Sequence, residues 1–319
     1  MIPKLQKTYQ GLGTLIHLTL FGQPCASDLE QANNLIRHYE SLFTINRPHS
    51  EIVTINQAAG KQPVQVSDAT YALVKQAILL SRQNFGFNAF IGPLVKLWNI
   101  GFKNAHVPTA AQIQTRLGLT NPFNCEFNDE QETIYLQKAG MQLDLGAIAK
   151  GYIADRIQDL WHSLGKKAGI IDLGGNLLLM GASPLRANHQ WSIGIQNPLA
   201  PRGQVLATVH LPACSAVTSG IYERTLNVSG HIYHHILNPQ TGYPHVNNLS
   251  SVTVFSKYSL DGEIETTRLF FAGKPIKAWA QTNPNIYGAI FVTKNKKIIL
   301  QKIPPTAVTL LDDHYQILE

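Results

Sequence analysis

The chain has 319 residues, 44% of them hydrophobic; that is enough for a substantial core, as one large domain or two intertwined ones, without disulfide support. Its 26 basic and 20 acidic residues leave a formal charge of +6 with no block of five like charges, which suits an anionic ligand. The absence of an aromatic-and-basic RNA signature or a recognition-helix pattern argues against nucleic acid. No run of 18 apolar residues occurs, which excludes a helical membrane span.

Cys25, Cys125 and Cys214 are odd in number and far apart, so they fit neither a disulfide framework nor a zinc cluster and are expected as free, buried thiols. The stretch Gly13 to Gly22 is too short and too Thr- and His-interrupted for a signal peptide, and Cys25 follows Pro24 rather than a small residue. A cytoplasmic protein is therefore expected, unless the sequence is trimmed.

In chain order, Leu15 to Phe21 alternates like a strand and is expected as the first one. Ser27-Asp28 offers an N-cap to a helix with apolar Leu29, Ala32, Leu35, Ile36, Tyr39 and Leu42. Pro48 imposes an extended turn, and Ser50-Glu51 can open a short helix. Asp68 to Asn84 shows helical spacing up to Phe85-Gly86. The segment GFNAFIGPLVKLWNIGF suits a pocket wall as well as a core. A helix near Ala110 to Leu117 and a strand near Thr133 to Gln137 follow.

Leu143 to Leu160 (LDLGAIAKGYIADRIQDL) reads as an apolar strand ending at Asp144, a turn at Gly146 and an amphipathic helix. The Asp144 carboxylate would then sit at a helix mouth whose free N–H groups favour anions. Gly169 to Gly181 reads as one apolar strand interrupted at Gly174-Gly175-Asn176 by a bulge or a close approach to the backbone. Short alternating strands from Gln190 to Val217 predict an antiparallel sheet. Thr218, Ser219 and Gly220 end a strand, Asn227 to Gly230 suggests a hairpin, and His234-His235 precedes the turn ILNPQTGYP. Adjacent strand residues point to opposite faces, so only one of these histidines can face a given site. Asp261, Glu263, Glu265, Thr266 and Thr267 form the densest set of oxygen ligands, just before an apolar helix. Glu263 and Thr267 are four apart, which on a helix puts both on one face; hard cations such as Mg²⁺ favour such ligands. Taken singly, each cluster also has a packing explanation: a tight joint, a bulge, a structural histidine, an acid-rich helix start.

Taken in order, LGT near the start, RPHSEIVTIN, GPLVKLWNIG, LDLGAIAKGYIADR, DLGGN, TSGIYER, HHILNPQTGYP and ETTRLFFAG resemble the motifs of the ApbE family of FAD:protein FMN transferases, from about Gly11 to Gly273 and beyond. The resemblance implies one domain over residues 1–319, with an α+β, T-fold-like architecture of antiparallel β-sheets flanked by helices and an FAD crevice between them. It implies Mg²⁺ at the FAD pyrophosphate, and transfer of FMN to a Ser or Thr hydroxyl of an acceptor flavoprotein with release of AMP.

Residue by residue, the resemblance places Asp144 and Lys150 at FAD-contacting positions. Ala147 stands where some members have a metal-binding threonine, so only its carbonyl is available. Leu12 stands where Met-Gly-Thr normally begins. Gly86, Phe87 and Asn88 match an FAD-contacting segment in which Asn88 replaces an aspartate, and Asn46 stands where an aromatic is common. His235 and Ile236 match the His-Ile before the turn. Thr267 falls on the metal threonine and Glu263 on the metal aspartate, with Asp261 as the alternative if the register slips.

Phosphoryl transfer needs the diphosphate charge neutralised and the hydroxyl aligned opposite the leaving AMP. Mg²⁺ on Glu263, Thr267 and the Ala147 carbonyl would supply the first need. Backbone amides at the Gly146 and Gly174-Gly175 turns would add donors. His235 is the candidate base, because histidine titrates near neutral pH, and Asp144 is the alternative. Ser219 is expected on the flavin or acceptor side. Two other functions fit the same residues: an Mg²⁺-dependent FAD hydrolase giving FMN and AMP, and a non-catalytic FAD-binding protein. A nicotinamide oxidoreductase is disfavoured, since LGGN lacks the Gly-x-Gly-x-x-Gly spacing.

Overall fold

The computed structural model describes residues 2–281 and 283–318. Among them, seven α-helices and four sheets form an α+β architecture, with β-pairing antiparallel except between Lys297–Gln301 and Gln316–Leu318. The chain divides into two compact units. One comprises residues 1–40, 148–220 and 248–319; the other, residues 41–147 and 221–247.

The first unit is built on a nine-stranded sheet whose strands lie side by side in chain order: Lys4–Gly11, Thr14–Phe21, Ala168–Leu173, Leu177–Met180, Ser215–Gly220, Leu249–Ser256, Ile286–Thr293, Lys297–Gln301 and Gln316–Leu318. This is a meander with long insertions, so neighbours in sequence remain neighbours in space. Every residue of Leu249–Ser256 is buried, as a strand covered on both faces must be. One cover is a three-stranded sheet of Val308–Leu310, Val205–Leu211 and Trp191–Gln196, whose Trp191, Ile193, Ile195, Leu206 and Val209 share a buried cluster with Leu179, Phe255, Ile290 and Val292 of the large sheet. Helices include Ala149–Ser163 and Ser259–Ala272, the latter packed on the strands Ser215–Gly220 and Leu249–Ser256.

These two helices approach closely because Gly151 has no side chain. A Cβ there would lie 2.7 Å from the Ser259 carbonyl oxygen and 2.8 Å from Leu260 Cα and Glu263 Cγ. One turn further on, Asp155 caps the neighbouring helix: its carboxylate accepts the Ser259 N–H at 2.7 Å and the Leu260 N–H at 3.0 Å. Those are two of the donors that a helix start leaves unpaired, and Tyr258, at the N-cap, offers no side-chain bond.

The second unit carries helices Glu51–Gln57, Asp68–Arg82, Gly92–Trp98 and Ala110–Leu117, a small sheet of Val64–Gln65, Thr133–Leu136 and Cys125–Asn128, and the hairpin Thr225–Val228/His231–His234. Ser50 caps its helix through the Val53 N–H, as expected. Leu94, Trp98, Ile100, Ile113 and Leu237 form a buried cluster, and Trp98 Nε1 donates to the Gly242 carbonyl at 2.8 Å.

Several expectations need correction. Leu15–Phe21 belongs to the second strand; Lys4–Gly11 precedes it, and its polar, half-exposed alternation carried no apolar signal. Leu143-Asp144 is no strand: both backbone groups of Leu143 bond the Asn56 side chain, and the Asp144 N–H bonds the Ala89 carbonyl. Gly174-Gly175-Asn176 is neither an interruption nor a bulge but the reversal between two paired strands. Asp261, Glu263 and Glu265 lie within the helix rather than before it. Cys125 and Cys214 are buried, but Cys25 is exposed.

Burial raises the Asp155 carboxyl from 3.8 to about 6, against the pull of its two N–H partners. Its protonated form is therefore favoured by folding, a contribution gained as pH falls and lost as pH rises through about 6. In urea titrations, wild type relative to Asp155→Asn is expected to gain up to about 3 kcal/mol between pH 7 and pH 4. A pH-independent difference would refute this.

Candidate functional site

In the first unit, one buried side chain that the sequence reading left without a role links the predicted positions. Asn176, 3% exposed, donates through Nδ2 to Glu263 Oε1 at 2.6 Å and accepts the Ser259 hydroxyl on Oδ1 at 2.7 Å. Glu263 is 7% exposed. Burial raises its pKa, while the Lys150 charge, the Asn176 amide and the Gly151 N–H act the other way. Thr267, one turn along, donates its hydroxyl proton to the Glu263 carbonyl at 3.1 Å, and its oxygen keeps lone pairs that can accept. Asp261 is half-buried and accepts from Asn285 Nδ2 at 3.3 Å.

Asn176 also closes the glycine turn, its carbonyl accepting the Leu173 N–H at 2.9 Å. Gly174 and Gly175 have φ of +70° and +95°, and a Cβ on Gly174 would lie 2.4 Å from Thr14 Cγ2. Thr14 follows the Leu12-Gly13 reversal, so both turns occupy one end of the sheet. Leu12 holds φ at +52°, unusual for a leucine, with its N–H on Glu40 Oε1 at 2.8 Å. The Gly175 amide, expected as a phosphate donor, donates to Asp172 Oδ1 at 2.7 Å. Ser219 is half-buried near the end of its strand.

In the second unit, Arg224 carries its charge near Asp144 and its carbonyl meets His235. Asp144 Oδ1 accepts the Gly146 N–H at 2.8 Å, so this carboxylate closes a local turn instead of sitting at a helix mouth. The helix begins only at Ala149, after an uncapped Ile148. Burial raises the Asp144 pKa, opposed by the Gly146 N–H and the charges of Arg224 and Lys96. Arg224 in turn offers its carbonyl to the His235 N–H at 3.3 Å and to His235 Nδ1 at 3.4 Å. His234 is the buried member of the pair, with Nε2 against the His245 carbonyl at 2.9 Å. Ile236 is half-buried, and Ala147 and Asn46 are exposed.

Phe87 is buried and stacked with Phe85, ring centroids 6.3 Å apart, beyond Gly86 at φ +108°. Asn88 uses its whole amide on the backbone: Oδ1 accepts the Phe90 N–H at 2.8 Å and Nδ2 donates to the Thr120 carbonyl at 2.9 Å. An aspartate could make only the first of these bonds, which explains the amide at this position.

The carboxylate of Glu263 and the hydroxyl of Thr267 are hard oxygen donors, the type that Mg²⁺ takes. The ApbE family profile matches residues 12–291. The chain belongs to the ApbE family. It is 43% identical over 286 residues to an FAD:protein FMN transferase of Klebsiella pneumoniae, covering 89% of this chain and 88% of that one. With an FAD:protein FMN transferase of Treponema pallidum it shares 33% identity, over 90% of this chain and 84% of the relative. Among solved structures, the ApbE protein of Thermotoga maritima superposes with a TM-score of 0.84 at 27% identity, covering 94% and 97% of the two chains. The flavin transferase ApbE of Vibrio cholerae gives 0.80 at 25%, covering 94% and 98%. No helix among the described residues is long and apolar enough to cross a membrane.

Asn176 and Arg224 lay inside motifs that carry the family resemblance, DLGGN and TSGIYER. Their roles escaped the sequence because each acts on a group that only folding brings near.

Two substitutions test this packing. Gly151→Ala forces the two helices apart and is expected to cost about 1–3 kcal/mol in urea titration. Asn88→Asp turns a donor toward the Thr120 carbonyl into an anion and is expected to cost about 1–3 kcal/mol at pH 7. Wild-type midpoints in either variant would contradict the contacts.

Proposed function

We propose that this ApbE family member transfers the FMN moiety of FAD to a Ser or Thr hydroxyl of an acceptor flavoprotein in an Mg²⁺-dependent reaction that releases AMP. The observation that carries this reading is the 43% identity, over 89% of the chain, to an FAD:protein FMN transferase. The oxygen pair Glu263 and Thr267, on one helix with Asn176 and Lys150 at the carboxylate, supports it.

In this reading Glu263, Thr267 and the Ala147 carbonyl hold Mg²⁺, with Asp261 as the alternative carboxylate. When bound, the ion neutralises charge on the diphosphate. Lys150 adds a cation to the same task. Leu12, Asn46, Gly86, Phe87, Asn88, Gly174, Gly175, Ser219 and Ile236 contact FAD. His235 accepts the proton of the attacking hydroxyl: with Nδ1–H donated to the Arg224 carbonyl, Nε2 carries the lone pair. Asp144, held beside Arg224, is the alternative base. Attack on the FMN phosphorus forms the new phosphoester bond and breaks the bond to AMP.

The test incubates the protein with FAD and a candidate acceptor, with and without Mg²⁺, and follows AMP release and acceptor mass. Mg²⁺-dependent AMP with an FMN-sized increment on Ser or Thr is expected. Free FMN with an unmodified acceptor would favour FAD hydrolysis, and intact FAD throughout would favour a binding protein. His235→Ala is expected to lower kcat by about 10²–10⁴-fold. Glu263→Gln is expected to abolish the response to Mg²⁺. If the loss follows Asp144→Asn and spares His235→Ala, the base is Asp144.

A further inference from the structure

We infer that Asn176 is a positioning residue that couples the glycine turn to the metal carboxylate, presenting Glu263 to the cation in one fixed orientation; this rests on the reading of Glu263 as an Mg²⁺ ligand. Three observations lead there. First, Asn176 is bonded at both ends of its amide, Nδ2 to Glu263 Oε1 at 2.6 Å and Oδ1 to the Ser259 hydroxyl at 2.7 Å. The carboxylate fixes which end of the amide faces it, since an ionised carboxylate only accepts, and the Ser259 hydroxyl, which can donate, then serves the amide oxygen.

Second, the carboxylate has little freedom of its own. Glutamate has three side-chain torsions, and ordering them on metal binding would cost affinity. Here Oε1 is held by Asn176, and the tight helix contact at Gly151 confines the side chain at its Cγ. Glutamate reaches one methylene farther than the aspartate that the family pattern has at this position. A fixed donor on one oxygen takes up that extra reach and leaves the second oxygen as the ligand.

Third, the backbone of the same residue closes the Gly174-Gly175 turn through the Leu173 N–H. A shift of that turn moves the amide and, with it, Glu263 Oε1. A contact of FAD with that turn and a cation at the carboxylate then share one hinge, so each is expected to tighten the other.

The experiment compares wild type, Asn176→Ala and Ser259→Ala in two measurements: the Mg²⁺ concentration for half-maximal AMP release, and the Mg²⁺-induced rise in melting temperature of the FAD-bound protein. Loss of a partner that orients a ligand typically weakens metal binding by about 10–100-fold. Asn176→Ala is expected to raise half-saturation by that factor and to need correspondingly more Mg²⁺ for the same thermal shift, with a smaller change in kcat. Ser259→Ala removes only the far anchor and is expected to give a several-fold rise; it keeps the measurement possible if Asn176→Ala does not fold. A purely structural Asn176 would lower the melting temperature without Mg²⁺ and leave half-saturation within twofold of wild type, which overturns the inference alone. A wild-type reaction that needs no divalent cation overturns the Glu263 assignment and the inference with it.

Discussion

The constraint on which the first unit turns is a carboxylate taken out of water. Left alone, the Glu263 anion would be too costly to bury, so the residues around it read as compensation. Asn176 supplies a hydrogen bond and Lys150 a nearby cation. Helices 149–163 and 259–272 approach closely beside it, which residue 151 permits by having no side chain. The same approach lets Asp155 cap the second helix from the first, so one close packing serves both the carboxylate and the helix start.

A second regularity is the Asp-Leu-Gly sequence, which occurs at 144–146 and again at 172–174. In each case the aspartate folds back on a nearby amide, Asp144 on Gly146 and Asp172 on Gly175. The carboxylates thus shape their own turns, and short polar side chains do this readily because the acceptor reaches the chain two or three residues on. Both turns look like open anion sites in sequence, yet in each an amide is already engaged from within.

Much of the scaffold was legible. Helices Asp68–Arg82 and Ala110–Leu117 lie where apolar spacing put them, because local periodicity and caps decide such elements. Lys4–Gly11 was missed since an edge strand with Lys and Gln in alternation has no apolar face to read. Leu143-Asp144 was misread because its apolar neighbours suggested a ladder, whereas a single side chain, Asn56, takes the place of a strand partner 87 residues away.

By itself the sequence determined the α+β class, the family, and that Glu263 and Thr267 stand one helical turn apart. Those depend on order and spacing along the chain. Only the tertiary structure decided that Asn176 bonds Glu263, that the Arg224 carbonyl meets His235, that His234 is the buried histidine, and that Asn88 spends both ends of its amide on the backbone. Each of these is a pairing between groups distant in sequence, and hydrogen-bond partners and burial exist only once folding has set the distances.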